Sequence, residues 1–311
     1  MKGKFPPWLR RRLPEAEAFS SVQELLDGLS LHSVCESAIC PNLAECFSRR
    51  TATFLILGNV CTRHCTFCAV KKGSPLPVDE KEPQHLLEAV EKLGLRHVVV
   101  TSVTRDDLSD GGASQFVNTI QTLRASEREL TIEVLIPDFA GSMEALSAVV
   151  AARPEVINHN VETIARLYPR LRPEADYFRS LGLLFTAKRP NPELITKSGL
   201  MVGLGETKEE IIEVMNDLRE AGCDLLTIGQ YLQPSPRHHP VVRFIPPQEF
   251  AQYESIGKEM GFVEVASGPF VRSSYKAAAL YAKAKEKVTS CRNGLLHEAA
   301  PGLPHAMPRE G

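Results

Sequence analysis

Apolar and polar positions along this chain follow two periods that take turns. Runs of apolar and β-branched residues, five to seven long, at 53–57, 97–103, 131–136, 156–160, 198–203 and 224–230, predict buried strands. Between them apolar residues recur every three or four positions over 82–93, 112–124, 142–152, 161–183 and 207–221, which predicts amphipathic helices. Strands alternating with helices imply βα units and a parallel sheet. Counted from Thr53 there are six such strands, fewer than the eight that close a full barrel. The expected fold class is therefore α/β, an open partial (β/α)6 barrel with N- and C-terminal extensions. The loops at strand C-termini build the active site in such barrels.

A proline-rich stretch at 233–247 breaks the rhythm. A helix over 248–260, a strand over 262–266 and a last helix running from Arg272-Ser273-Ser274-Tyr275 to about residue 287 follow it. The expected domains are 1–50, an N-terminal extension; 51–245, the barrel; 246–288, a C-terminal extension; and 289–311, an aperiodic, disordered tail.

Composition narrows the function classes. A formal net charge of −2 on 311 residues, with no basic stripe interleaved with aromatics, argues against a nucleic-acid partner. No apolar run reaches the length of a membrane helix, so no membrane association is expected. Residues 2–12 are basic but carry Pro6, Pro7 and Trp8 and no apolar core, which reads as a surface arm rather than a secretory signal. Eight cysteines without a secretory signal suit a reducing, cytoplasmic compartment, where thiols bind metals or react.

Six of those cysteines fall in two triplets. Cys61, Cys65 and Cys68, spaced C-x3-C-x2-C, follow the first barrel strand. Thiolates select zinc or iron-sulfur centres. Structural zinc sites prefer C-x2-C pairs and close four positions, whereas this loop offers three ligands; a buried or zinc-bound knuckle is the competing reading. Upstream, Cys35, Cys40 and Cys46 are spaced C-x4-C-x5-C. Pro41 suits the first helical position, which puts Cys40 at a helix start, Cys46 in its second turn and Cys35 in the preceding loop. Three thiolates again lack a fourth partner, and the bland alternative packs Cys46 in the core beside Leu43 and Phe47.

The first triplet, with Phe67 before its last cysteine, resembles the signature of radical S-adenosylmethionine (SAM) enzymes, in which SAM chelates the open iron of a 4Fe-4S cluster. Both triplets together with Arg272-Ser273-Ser274-Tyr275, Arg105-Asp106-Asp107, Gly111-Gly112, Asn158-His159-Asn160 and the run from Lys197 to Glu206 resemble the lipoyl synthase family over most of the chain. That resemblance implies insertion of two sulfur atoms at carbons 6 and 8 of a protein-bound octanoyl-lysine. Such C–H bonds are neither acidic nor electrophilic, so a 5′-deoxyadenosyl radical derived from SAM would be required. It also implies two 4Fe-4S clusters facing each other across the barrel mouth. One would be held by Cys61, Cys65 and Cys68. The other, consumed as the sulfur source, would be held by Cys35, Cys40, Cys46 and the hydroxyl of Ser274.

From the residues alone, Ser273 or Ser274 equally suits the N-cap of the last helix. Expected SAM contacts are Phe67, Thr101, Ser102, Asn158, Asn160, Glu162, Gly203 and Gln230, with Asp106 and Asp107 as further candidates. His159 and Cys223 read as structural, and His238 and His239 as a surface loop near the substrate. Expected partners are octanoylated carrier (lipoyl) domains and a low-potential electron donor such as a ferredoxin or flavodoxin. The alternatives are another radical SAM sulfur-inserting or methylthio-transferring enzyme, or a non-catalytic metal-binding scaffold.

Overall fold

A computed structural model describes residues 5–10 and 17–298; the basic residues Lys2, Lys4, Arg11 and Arg12 and the end of the tail, 299–311, lie outside the described residues. The chain runs through α1 (Glu17–Gly28), β1 (His32–Ser33), α2 (Val34–Ser37) and α3 (Leu43–Ser48) into the first barrel strand, β2 (Thr53–Ile56). A short parallel ribbon, β3 (Val60–Cys61) with β4 (Lys71–Lys72), brackets the Cys61, Cys65 and Cys68 triplet. Alternation then sets in: α4 (Glu82–Leu93), β5 (His97–Ser102), α5 (Ala113–Arg124), β6 (Thr131–Leu135), α6 (Met143–Ala151) and β7 (Val156–Asn158). It continues with α7 (Tyr168–Leu171), α8 (Tyr177–Lys188), β8 (Ile195–Val202), α9 (Lys208–Glu220) and β9 (Leu225–Gln230). The chain closes with α10 (Pro247–Glu259), β10 (Glu264–Gly268) and α11 (Ala277–Glu298).

The helices start and stop where local chemistry dictates. Thr207 and Glu210 form a capping box on α9, Ser142 and Asp176 cap α6 and α8, and α4 ends on Gly94 in the left-handed region. One sheet holds eight strands in the order β1-β2-β5-β6-β7-β8-β9-β10. All neighbours from β2 to β10 are parallel, and β1 joins β2 antiparallel. The two edge strands do not pair with each other, so the barrel is open. The six expected strands are its body, and β1 and β10 extend it at either edge.

Strand alternation sorts the side chains. Val98, Val100, Ile132 and Val134 pack with Leu86, Phe116 and Ile120 of the flanking helices. On the opposite face His97 Nε2 and Lys197 Nζ converge on Glu133, at 3.3 and 2.7 Å. Burial alone would push the Glu133 carboxyl up, but Lys197 and then His97 hold it down to about 2. Below this trio Leu280 and Ala284 of α11 pack on Val156, Ile195 and Leu225, the first residues of β7, β8 and β9. The last helix therefore plugs the bottom of the barrel. It runs to Glu298, past the boundary near 287 that the sequence suggests, so residues 289–298 are helical rather than tail.

Two further expectations change. The continuous helix over 161–183 is broken, because Glu162 (φ 64°) extends the line of β7 by bridging Leu200, and Pro169 and Pro173 bound the single turn of α7. Pro41 does not open a helix: α3 begins at Leu43 and Cys46 lies in its first turn, while Cys35 sits inside α2 rather than in a loop. Among the described residues no helix is long and apolar enough to cross a membrane.

Candidate active site

The loop carrying Cys61, Cys65 and Cys68 is held by hydrogen bonds from several separate segments. Leu57 (φ 67°) and Gly58 (φ 84°) turn the chain off β2, and the Glu82 carboxylate accepts the Leu57 N–H at 2.9 Å. Buried Arg63 makes a two-pronged contact with Asp106 at 2.7 and 2.9 Å and reaches Asp138 at 2.6 Å. Lys72 Nζ donates to the Cys65 carbonyl at 2.8 Å, Thr66 N–H to Leu171 at 2.9 Å, and His239 N–H to Thr66 at 3.0 Å. His238 Nε2 meets the Cys68 carbonyl at 3.1 Å. The histidine pair thus fastens the 235–239 turn to the cysteine loop, with His239 buried rather than at the surface.

Burial pushes the Cys65 thiol up and the Cys68 thiol up to about 12, and each neighbouring sulfur adds to the effect. Thiols in that state yield their protons to a metal centre that needs thiolate. Among the described residues no three His, Cys, Asp or Glu side chains converge at the spacing of one metal ion.

Of the buried side-chain atoms without a hydrogen-bond partner, three lie at the C-terminal ends of β5 and β7 and just after α7: Ser102 Oγ, Asn158 Oδ1 and Arg172 Nε. Buried polar groups are normally satisfied, so these mark where a polar ligand would fit. Asn158 Nδ2 is taken by Glu133 at 3.3 Å, and Asn160 Nδ2 donates to Glu162 at 3.0 Å and to Ser273 Oγ at 2.7 Å. Burial raises the Glu162 carboxyl, with Arg172 opposing. Arg172 escaped the sequence reading. Its Nη1 donates to the carbonyls of Asn160 and Val161 at 3.1 Å, its guanidinium lies 5.2 Å over the Tyr168 ring, and it lowers the Cys65 thiol against the effect of burial. No motif announced it; the only local signal is the Pro173 that ends its turn.

Other expected contacts are placed differently. Gln230 is fully buried, with Nε2 donating to the carbonyls of Val202, Tyr231 and Arg243 and Oε1 accepting the Ile245 N–H, so it staples the 231–245 loop. Gly203 (φ 99°) is glycine because a Cβ would overlap Gln230 Nε2 and the Arg243 carbonyl, so the close approach is to this chain's own loop. Thr101 Oγ1 is committed to the Leu135 carbonyl at 2.9 Å. Asp106 belongs to Arg63, and Asp107 to Arg105 at 2.9 Å. Phe67 packs half-buried against the core of the barrel's second half. His159 is structural as expected, bonded to the Ile136 carbonyl at 2.9 Å and Ser180 at 3.0 Å, and Cys223 is fully buried.

The other triplet lines a cavity of about 160 Å³, where Cys35, Cys40 and Cys46 are joined by Ser274. Ser33 caps α2, and Ile39 (φ 53°) turns the chain between Cys35 and Cys40. Burial pushes the Cys35 thiol up to about 12 and the Cys46 thiol up to about 11. Two contacts tie this segment to the far end of the sequence: Asn42 Nδ2 donates to the Phe270 carbonyl at 2.7 Å, and Tyr275 Oη donates to Glu45 at 3.0 Å. The 269–275 segment enters the barrel because β8 and β9 make room for it. A Cβ on Gly199 would lie 2.6 Å from Asn160 Oδ1 and 2.8 Å from Ser273 Oγ, and one on Gly229 would overlap the Val271 carbonyl. Ser274 is not an N-cap, since α11 begins three residues later at Ala277. The cavity is lined by Thr53 and His97, the first residues of β2 and β5, whereas the Cys61 loop follows the other end of β2. The two triplets thus occupy different levels of the barrel, not opposite sides of its mouth.

Residues 55–229 match the family model for the radical SAM superfamily. The chain is 58% identical over 272 residues to the lipoyl synthase of Caldanaerobacter subterraneus subsp. tengcongensis, covering 88% of this chain and 95% of that one. It is 55% identical to the lipoyl synthase of Rubrobacter xylanophilus, covering 88% and 85%. Among solved structures, Streptococcus suis SuiB bound to its precursor peptide SuiA superposes with a TM-score of 0.55 at 10% identity, over 73% of this chain and 52% of that one. HydG, a maturase of the [FeFe]-hydrogenase, gives 0.53 at 16% identity, over 78% and 62%. At these identities the structures speak for the fold alone.

Proposed function

Since the chain belongs to the lipoyl synthase family of the radical SAM superfamily, a family of SAM-dependent 4Fe-4S sulfurtransferases, we propose that it inserts sulfur at carbons 6 and 8 of an octanoyl-lysine on a carrier domain. In this reading the sulfur is drawn from a second 4Fe-4S cluster held by Cys35, Cys40, Cys46 and Ser274. The observation that carries it is the cavity those four side chains line together, although Ser274 is the product of the other end of the sequence. Three thiolates and one hydroxyl are a donor set for iron, with the oxygen the harder ligand and the easier to displace.

When bound, SAM and the first cluster supply the one-electron chemistry that reaches an unactivated C–H bond. The chain's own residues then have distinct tasks. Cys61, Cys65 and Cys68 hold the first cluster, and Arg63, Lys72 and His238 fix the loop that presents them. Ser102, Asn158 and Arg172 offer open polar atoms to the SAM zwitterion and ribose, with Asn160, Glu162 and Phe67 shaping the same cleft. Residues 1–50 bring the second triplet, 51–245 the barrel, and 246–288 the Ser274 segment. The partners are a carrier domain and a low-potential electron donor, in the cytoplasm.

The test is direct. Anaerobically reconstituted protein given SAM, dithionite and an octanoyl-lysine peptide is expected to release 5′-deoxyadenosine and to raise the peptide mass by two sulfurs, as the dithiol. SAM cleavage with no sulfur gained by the peptide would eliminate the assignment and leave the methylthio-transferring alternative.

A further inference from the structure

We propose that three exposed cations, Lys71, Arg170 and Arg237, form the docking surface for an acidic electron-carrier protein that reduces the centre in the 61–68 loop; this rests on the function proposed above, which needs such a donor. The three come from separate segments brought together around one loop. Lys71 lies in β4, where it is the register partner of Val60 next to Cys61. Arg170 lies in α7; its own carbonyl accepts from Thr66 Oγ1 at 3.4 Å, and that of Leu171 from the Thr66 N–H at 2.9 Å. Arg237 lies in the turn whose next residues, His238 and His239, bond Cys68 and Thr66. Each cation is therefore within two residues of a backbone contact with the cysteine loop.

All three side chains are exposed, and among the described residues none has an ion pair or hydrogen-bond partner. Of the other charges around the loop, Arg63 is paired with Asp106 and Asp138, Lys72 donates to the Cys65 carbonyl, and Glu174, partly exposed, lies 2.9 Å from His64. Three unpaired cations beside that carboxylate leave an excess of positive charge facing solvent, on a chain whose formal total is −2. A local field opposite in sign to the whole molecule selects an acidic partner and orients it as it approaches. The place also suits electron delivery. His64, between Cys61 and Cys65, has 65% of its side chain exposed, so the outer side of the loop reaches solvent and a donor can approach without entering the barrel.

The experiment compares wild type with the triple variant Lys71→Glu/Arg170→Glu/Arg237→Glu, following 5′-deoxyadenosine release from SAM without carrier. One arm uses a purified acidic flavodoxin as reductant, the other dithionite, each at low and high salt. The variant is expected to lose about tenfold or more of the flavodoxin-supported rate at low salt and to match wild type with dithionite. The wild-type flavodoxin rate should fall with salt as the field is screened. An unchanged flavodoxin rate in the variant overturns the proposal, and so does an equal loss with both reductants, which traces the effect to the loop itself. A raised KM for an octanoylated carrier domain under dithionite, with flavodoxin reduction intact, would assign the surface to the substrate instead. Wild type that cleaves no SAM even with dithionite would defeat the function proposed above as well.

Discussion

A buried polar atom reveals its task through its partners. Gln230 and Asn158 both end barrel strands, and in sequence they look alike. Gln230 bonds backbone groups through both ends of its amide, chiefly in the 231–245 loop, while Asn158 keeps Oδ1 unpaired. Periodicity shows that a residue ends a strand, but not which neighbour its side chain meets. His159, between the two asparagines, has the opposite character. Burial, with the Arg172 charge adding to it, depresses its imidazole from 6.5 to about 4. The unfolded chain therefore takes up this proton first as pH falls. The native state carries the neutral ring, so stability is lost as pH drops from about 6.5 toward 4. Between pH 7 and pH 5 this one group is expected to cost about 2 kcal/mol. Urea melts of wild type and His159→Gln check it: the variant should lose less stability over that interval, and parallel curves would show that the ring does not titrate as described.

At the scale of elements, the informative positions are interruptions of a pattern. Gly199 and Gly229 interrupt β8 and β9, and both face the incoming 269–275 segment. A glycine inside a strand signals close backbone approach, so this signal was present in the sequence, although the identity of the approaching segment was not. Gly229→Ala would drive a methyl into the Val271 carbonyl and displace the segment that carries Ser274. Overpacking of this kind costs about 1–3 kcal/mol. The variant is expected to lose iron from the second centre on reconstitution while retaining SAM cleavage; full iron with a native melting temperature would show that the segment adapts without cost. The helix expected over 161–183 teaches the converse. Val161, Ile164, Leu167, Tyr168 and Leu171 are all buried at helical spacing, yet a bridge at Glu162 and two prolines turn them inward from an irregular path.

For the whole molecule, the central feature is that the segments flanking the open barrel in sequence, around residues 42–45 and 270–275, meet each other. Asn42 reaches Phe270 and Tyr275 reaches Glu45 across separations of 228 and 230 positions, and α11 plugs the barrel floor. The cavity at Cys35, Cys40 and Cys46 is thus assembled largely from residues 35–53 and 272–278, while the Cys61 loop is held by β2, α7 and the 235–239 turn. This separation predicts independence. A Cys35→Ala/Cys40→Ala/Cys46→Ala variant is expected to bind about half the wild-type iron, to keep forming 5′-deoxyadenosine and to make no sulfur-bearing product. Iron and sulfide analysis beside product mass spectrometry decides it, and loss of SAM cleavage would show that the two sites are one.

What the sequence determined by itself is whatever is written in local period and spacing. The six βα strands, the two cysteine triplets and the structural role of His159 were all legible, because strand alternation, helix amphipathicity and ligand spacing are properties of neighbouring residues. Tertiary structure alone decided the rest: that Arg172 leans on Cys65, that the 269–275 segment fills the space left at Gly199 and Gly229, and that Gln230 and Gly203 serve the chain's own loop. Those pairings link residues tens to hundreds of positions apart, and they are fixed by which surfaces fill the open side of the barrel once the sheet has formed.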